Sequence, residues 1–126
     1  MNRAFLMLLG GLMLSLIVGA EPALWAHSFP EQQTPAAGAI LTTAPAEVSI
    51  KYDAPIEKLF AKLEVVGPDG KNEAAGAPQV SADGYTLSVK VGALGPGQYQ
   101  VKWGVVGADT HHTQGSYTFT VAAQGG

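Results

Sequence analysis

The sequence contains no cysteine, which excludes disulfides, thiolate metal sites and thiol catalysis. Methionine is scarce and confined: Met1, Met7 and Met13 are the only three, so nothing beyond residue 13 can offer a thioether. Charge is sparse too, with 7 Lys and Arg against 10 Asp and Glu and a net charge of −3. No basic run or basic amphipathic stretch occurs, which removes the electrostatic case for binding nucleic acid or a membrane surface. No segment sustains a helical period, and there is neither an internal repeat nor a low-complexity linker. Histidine is limited to His27, His111 and His112.

What is present begins with a targeting signal. Arg3 supplies a positive start, and Phe5 to Val18 forms an apolar run broken only by Gly10, Gly11 and Ser15. The run is shorter than the roughly 20 residues a membrane-spanning helix needs. Small and polar residues follow, the pattern of a secretory signal peptide, with an uncleaved N-terminal anchor as the alternative. Two cleavage points fit. One follows Ala20, with Val18 three residues from the cut; the other follows Ala26, with Leu24 in that place and the helix-breaking Pro22 upstream. Only the second makes His27 the first residue of the mature protein. The reading adopted is a signal peptide over residues 1–26 and one domain over 27–126, exported by that signal. Arg3 and Glu21 are the only charges lost with the signal, so the mature chain keeps the net charge of −3.

The mature chain reads as all-β. Val48, Ile50 and Tyr52 alternate with polar residues, and so do Leu63 and Val65. The same alternation runs through Tyr85, Leu87, Val89 and Val91, through Tyr99, Val101, Trp103 and Val105, and through Tyr117, Phe119 and Val121. A period of two puts each apolar set on one face of a strand. Turn residues separate the runs at Gly67-Pro68-Asp69-Gly70, Asp83-Gly84 and Gly95-Pro96-Gly97. Such spacing predicts two packed sheets, a Greek-key β-sandwich or barrel. Residues 28–46 are expected to form one irregular edge strand, and Ala122 to Gly126 a frayed tail. Trp103 is expected in the core.

None of the histidines lies on an apolar strand face. An N-terminal histidine is a ready chelator, because its α-amine and ring Nδ1 can close on one ion. Asp109-Thr110-His111 follows the Tyr99 to Val105 run, and in extended backbone residues two apart point to the same side. Together the two features offer amine, imidazole and carboxylate donors. That set suits the tetragonal N/O site Cu(II) prefers, and Cu(II) tops the affinity series for such ligands. Zinc accepts the same donors but prefers a tetrahedron, while Cu(I) wants sulfur. By the same alternation His112 should point away from His111, exposed or behind the ligands. A Ser116, His111 and Asp109 triad can be written on paper, but no nucleophile elbow accompanies it. Asp53 and Glu57 read as solvated surface carboxylates.

Several segments, taken in order, resemble the CopC family of periplasmic copper-resistance proteins. They are His27 with Thr34-Pro35-Ala36-Ala37-Gly38, then Ala44-Pro45 leading into the Val48 to Tyr52 strand. Gly97-Gln98-Tyr99-Gln100-Val101-Lys102-Trp103 follows, then Asp109-Thr110-His111 and Gly115-Ser116-Tyr117-Thr118-Phe119. The resemblance implies a Greek-key fold and one Cu(II) per chain, held by His27 through amine and ring and by Asp109 and His111. It implies a copper carrier or buffer rather than an enzyme. The protein would be monomeric and would pass its ion to a copper-transporting inner-membrane protein or another periplasmic copper protein. Three departures stand out. Ala54 occupies the place of a frequent family glutamate, His112 replaces a frequent proline, and the family's methionine-rich Cu(I) segment has no counterpart. Two rival readings are a histidine-brace copper monooxygenase, for which the chain leaves little substrate platform, and a metal-free interaction domain.

Overall fold

The computed structural model describes residues 28–124. Eight strands fill this stretch: β1 (Pro30–Thr34), β2 (Ile40–Leu41), β3 (Glu47–Tyr52), β4 (Lys62–Val66), β5 (Gln79–Val80), β6 (Thr86–Lys90), β7 (Gly97–Val106) and β8 (His112–Val121). They form two four-stranded sheets, ordered β1-β3-β6-β5 and β2-β8-β7-β4. Only β5–β6 and β7–β8 are consecutive neighbours; the other five connections each pass from one sheet to the other, giving a β-sandwich. No helix occurs among the described residues.

The period-two pattern is the physical origin of this packing. Val48, Ile50 and Tyr52 of β3, Leu87 and Val89 of β6, and Leu63 and Val65 of β4 are all buried. Tyr99, Val101, Trp103 and Val105 of β7 face Tyr117, Phe119 and Val121 of β8 within the same core. Tyr99 stacks on Phe119 with ring centroids 5.4 Å apart, and Tyr52 meets Trp103 edge-on at 5.6 Å. Burial of each such side chain contributes roughly 1.5–3 kcal/mol, so these strands supply the core.

Two expectations need correction. Residues 28–46 do not form one edge strand. β1 pairs antiparallel with β3, whereas β2 pairs parallel with β8 through Ile40–Thr120 and Leu41–Val121. The chain changes sheets between them, using Gly38 at φ 77°, a conformation glycine adopts without steric cost. Nor is the C-terminal stretch frayed as far as it is described. Ala122 N donates to Leu41 O at 2.8 Å and the Gln124 side-chain amide to Thr42 O at 2.9 Å. Both bonds follow from β2 lying beside β8, which the sequence pattern did not reveal.

One end of the sandwich gathers Ser28, the first described residue, the loop between β3 and β4, and the loop between β7 and β8. Ala108 N donates to Pro55 O at 3.1 Å and Glu57 N to Val106 O at 2.8 Å, while Ile56 bridges Gly107.

Candidate metal centre

The β7–β8 hairpin positions the Asp-x-His motif. Its register runs without a break from Gly97–Val121 to Val106–His112, leaving Gly107 to His111 as the connecting loop. Thr110 N donates to Gly107 O and Gly107 N to His111 O, both at 2.9 Å. Thr110 itself has φ 75°, left-handed backbone that a β-branched residue rarely adopts. Asp109 and His111 therefore do not sit two apart on an extended strand, as expected. They meet because the chain turns at Thr110.

The resulting contact is close. His111 Nδ1 lies 2.8 Å from Asp109 Oδ2, and His111 N donates to Asp109 Oδ1 at 3.1 Å. An ionised carboxylate only accepts, so the ring nitrogen is the donor. The His111 side chain is 59% exposed and that of Asp109 20%. One carboxylate thus orders both the backbone and the ring of the histidine, with the imidazole open to solvent and hence to an incoming ion.

Gly107 forms the floor. A Cβ there would sit 2.7 Å from Asp109 Oδ1 and 2.9 Å from Ser28 Oγ, so these two oxygens flank one point. Ser28 is fully buried. Its hydroxyl donates to Pro55 O at 3.1 Å, and its carbonyl accepts from Thr113 Oγ1 at 2.7 Å. Phe29 N donates to Asp53 Oδ1 at 2.8 Å, and Asp53 N returns a bond to Phe29 O at 2.9 Å. Asp53 is therefore more than the solvated carboxylate expected; it clamps the start of the described chain beside the Asp109 loop. Sequence reasoning passed over Ser28, Gly107 and Thr113, small residues with no periodic signal. The available hint was a serine immediately after a candidate ligand.

The structure brings Asp109 and His111 together and places His112 and Ser116 away from them. His112 opens β8, with its Nε2 3.5 Å from where a Cβ on Gly104 would be, over the outer face of the sheet beside Lys62, Glu64 and Gln114. Ser116 is exposed five residues along β8 from His111, about 16 Å at strand rise, which dissolves the paper triad. His27 and both candidate cleavage points lie outside the described residues. Among the described residues no group of three or more His, Asp or Glu side chains could hold a metal ion; of the expected set the structure brings together two residues, Asp109 and His111.

Known proteins give this geometry its context. Residues 30–122 match the CopC domain family. Protein YobA of Escherichia coli K12 is 36% identical over 102 residues, spanning 79% of this chain and 82% of that protein. Copper transport protein CutJ of Bacillus subtilis is 26% identical over 118 residues, covering 91% of this chain but only 22% of CutJ. Among solved structures, CopC from Methylosinus trichosporium OB3b superposes with a TM-score of 0.73 at 26% identity, over 79% of this chain and 98% of that one. PcoC, a methionine-rich copper resistance protein from Escherichia coli, gives 0.65 at 25% identity, over 76% and 99%. The fold and the extent of the match agree: this chain belongs to the CopC family of copper-binding proteins.

Proposed function

We propose that the chain is a periplasmic Cu(II) carrier or buffer, beginning at His27 once residues 1–26 are removed and holding one ion with His27, Asp109 and His111. The observation that carries this reading is the ordered Asp109–His111 pair beside the buried Ser28 anchor. His27 directly precedes Ser28, and adjacent Cα atoms are about 3.8 Å apart. A histidine attached to that anchor has a short reach to the pair. Its amine and ring would complete a nitrogen-rich set with His111, and Asp109 adds oxygen. A copper ion held by both Asp109 and His111 would take the place of their mutual contact.

The donor chemistry supports Cu(II) over Cu(I). No sulfur is present after Met13, and nitrogen and oxygen donors favour the harder ion. Here the chain parts from the methionine-rich PcoC. Binding requires a deprotonated amine and neutral imidazoles, so copper displaces protons and affinity should fall as the medium is acidified. A monomer that binds and releases an ion, rather than an enzyme, is the role this site suits. The ion would pass to a copper-transporting inner-membrane protein, a reading favoured by the occurrence of a matching domain within CutJ, a copper transport protein.

The test is a Cu(II) titration of the secreted protein followed by electron paramagnetic resonance, after mass spectrometry of its N-terminus. A start at His27, one equivalent bound and one signal are expected. His27→Ala and His111→Ala should weaken binding most, Asp109→Ala less, and His112→Ala hardly at all. A mature start at Glu21, or binding that survives His111→Ala but not His112→Ala, would overturn the assignment.

A further inference from the structure

The large apolar side chains left exposed are not scattered. Among the described residues they are Phe29, Ile40, Leu59 and Phe60, at 52, 74, 80 and 67% exposure. Ile40 pairs with Thr120, towards the far end of β8. The other three belong to the end that carries Asp109 and His111.

Leu59 and Phe60 sit on a turn whose two feet are fastened to β7. On one side Ile56 bridges Gly107 and Glu57 N donates to Val106 O. On the other Lys62 pairs with Gly104. Strands so paired are about 4.8 Å apart, so the turn stands next to the strand that leads into the Asp109 loop. The neighbouring Glu57 and Lys58 cancel in charge. An exposed apolar pair on a fixed base beside the candidate ligand loop offers a small surface that a partner can cover.

Resting on the copper-carrier reading above, we propose that the Leu59–Phe60 turn is the docking surface for the copper-accepting inner-membrane protein. The size of the patch favours a brief encounter over a stable second copy. Each such side chain offers at most about 250 Å², so even three offer less than the ~800 Å² per partner of a stable complex. Handover needs an association of that kind, apolar enough to exclude water around the ion and small enough to release. A partner receiving the ion must also approach this end, because Asp109 and His111 lie here.

The test places a photo-crosslinking phenylalanine analogue at position 60 of the full chain, with position 40 as control, in copper-supplemented cells. A crosslink from position 60 to a multi-spanning membrane protein, absent from position 40, is expected. Leu59→Ser should reduce its yield roughly tenfold or more, the effect of losing one buried apolar contact. Cu(II) titration of Leu59→Ser/Phe60→Ser should match the parent, since neither residue can be a ligand and both lie outside the core. A crosslink only to a second copy, an equal crosslink from position 40, or none, would overturn the docking proposal while leaving the copper reading intact. Failure of the unsubstituted protein to bind Cu(II) would instead remove the premise.

Discussion

Gly107 shows how the proposed site can depend on a residue that contributes no ligand. The space where its Cβ would be is bordered by Asp109 Oδ1 and Ser28 Oγ, both closer than real Cβ contacts allow. Gly107→Ala must push both of them away, at the order of 1–3 kcal/mol that overpacking costs. Cu(II) affinity should fall about tenfold while the cooperative unfolding transition persists; titration and a urea melt on the same preparation check both. Unchanged affinity would mean that the Asp109 carboxylate is not held where copper binds. At this scale the sequence disclosed the partners but not the device. Asp109 and His111 were legible from type and spacing, whereas the left-handed Thr110 that joins them was not, because a β-branched residue there runs against local steric preference. Such strained positions concentrate at functional sites, and here the strain falls within the Asp-x-His motif itself.

At the scale of elements, the β7–β8 hairpin organises both core and centre. Its inner face carries Trp103, whose ring lies over Gly115 on the paired strand. A Cβ on Gly115 would come within 2.7 Å of Trp103 Cζ2 and 3.2 Å of its Nε1. The glycine lets a large ring lie flat against its cross-strand neighbour. Gly115→Ala should destabilise the fold by about 1–3 kcal/mol, read as a lower urea midpoint with an unchanged slope. A midpoint equal to the parent's would show that the indole has room to shift. Long alternating strands such as β7 and β8 were readable because each buries one continuous face. The two-residue β2 was not, since a strand so short has no period to detect. Its pairing with β8 is set by the route of residues 35–39 between sheets, and with it went the ordering of Ala122 and Gln124.

Across the whole molecule, the two sheets close over a core that contains a pair of buried tyrosines on opposite layers, Tyr52 on β3 and Tyr117 on β8. Neither hydroxyl has a hydrogen-bond partner among the described residues. Burial pushes Tyr117 up to about 12. It raises Tyr52 further, with the nearby Tyr117 adding to the effect. In the unfolded chain a tyrosine ionises near its ordinary value of 10. Above that pH the unfolded state binds fewer protons than the native one, so stability falls as pH rises. For Tyr117 the fall starts near pH 10 and runs to about 12, and Tyr52 extends it. Tyr52→Phe/Tyr117→Phe removes two hydroxyls that make no bond, so little is lost at neutral pH. The double variant should match or exceed the parent in urea at pH 7 and lose less stability between pH 10 and 12. Every other ionisable side chain is common to both proteins, so the difference between the two curves isolates the buried pair. Parallel curves across that range would mean that both hydroxyls ionise as readily in the folded protein as in the unfolded chain, and that the core admits water where the packing of the two sheets excludes it.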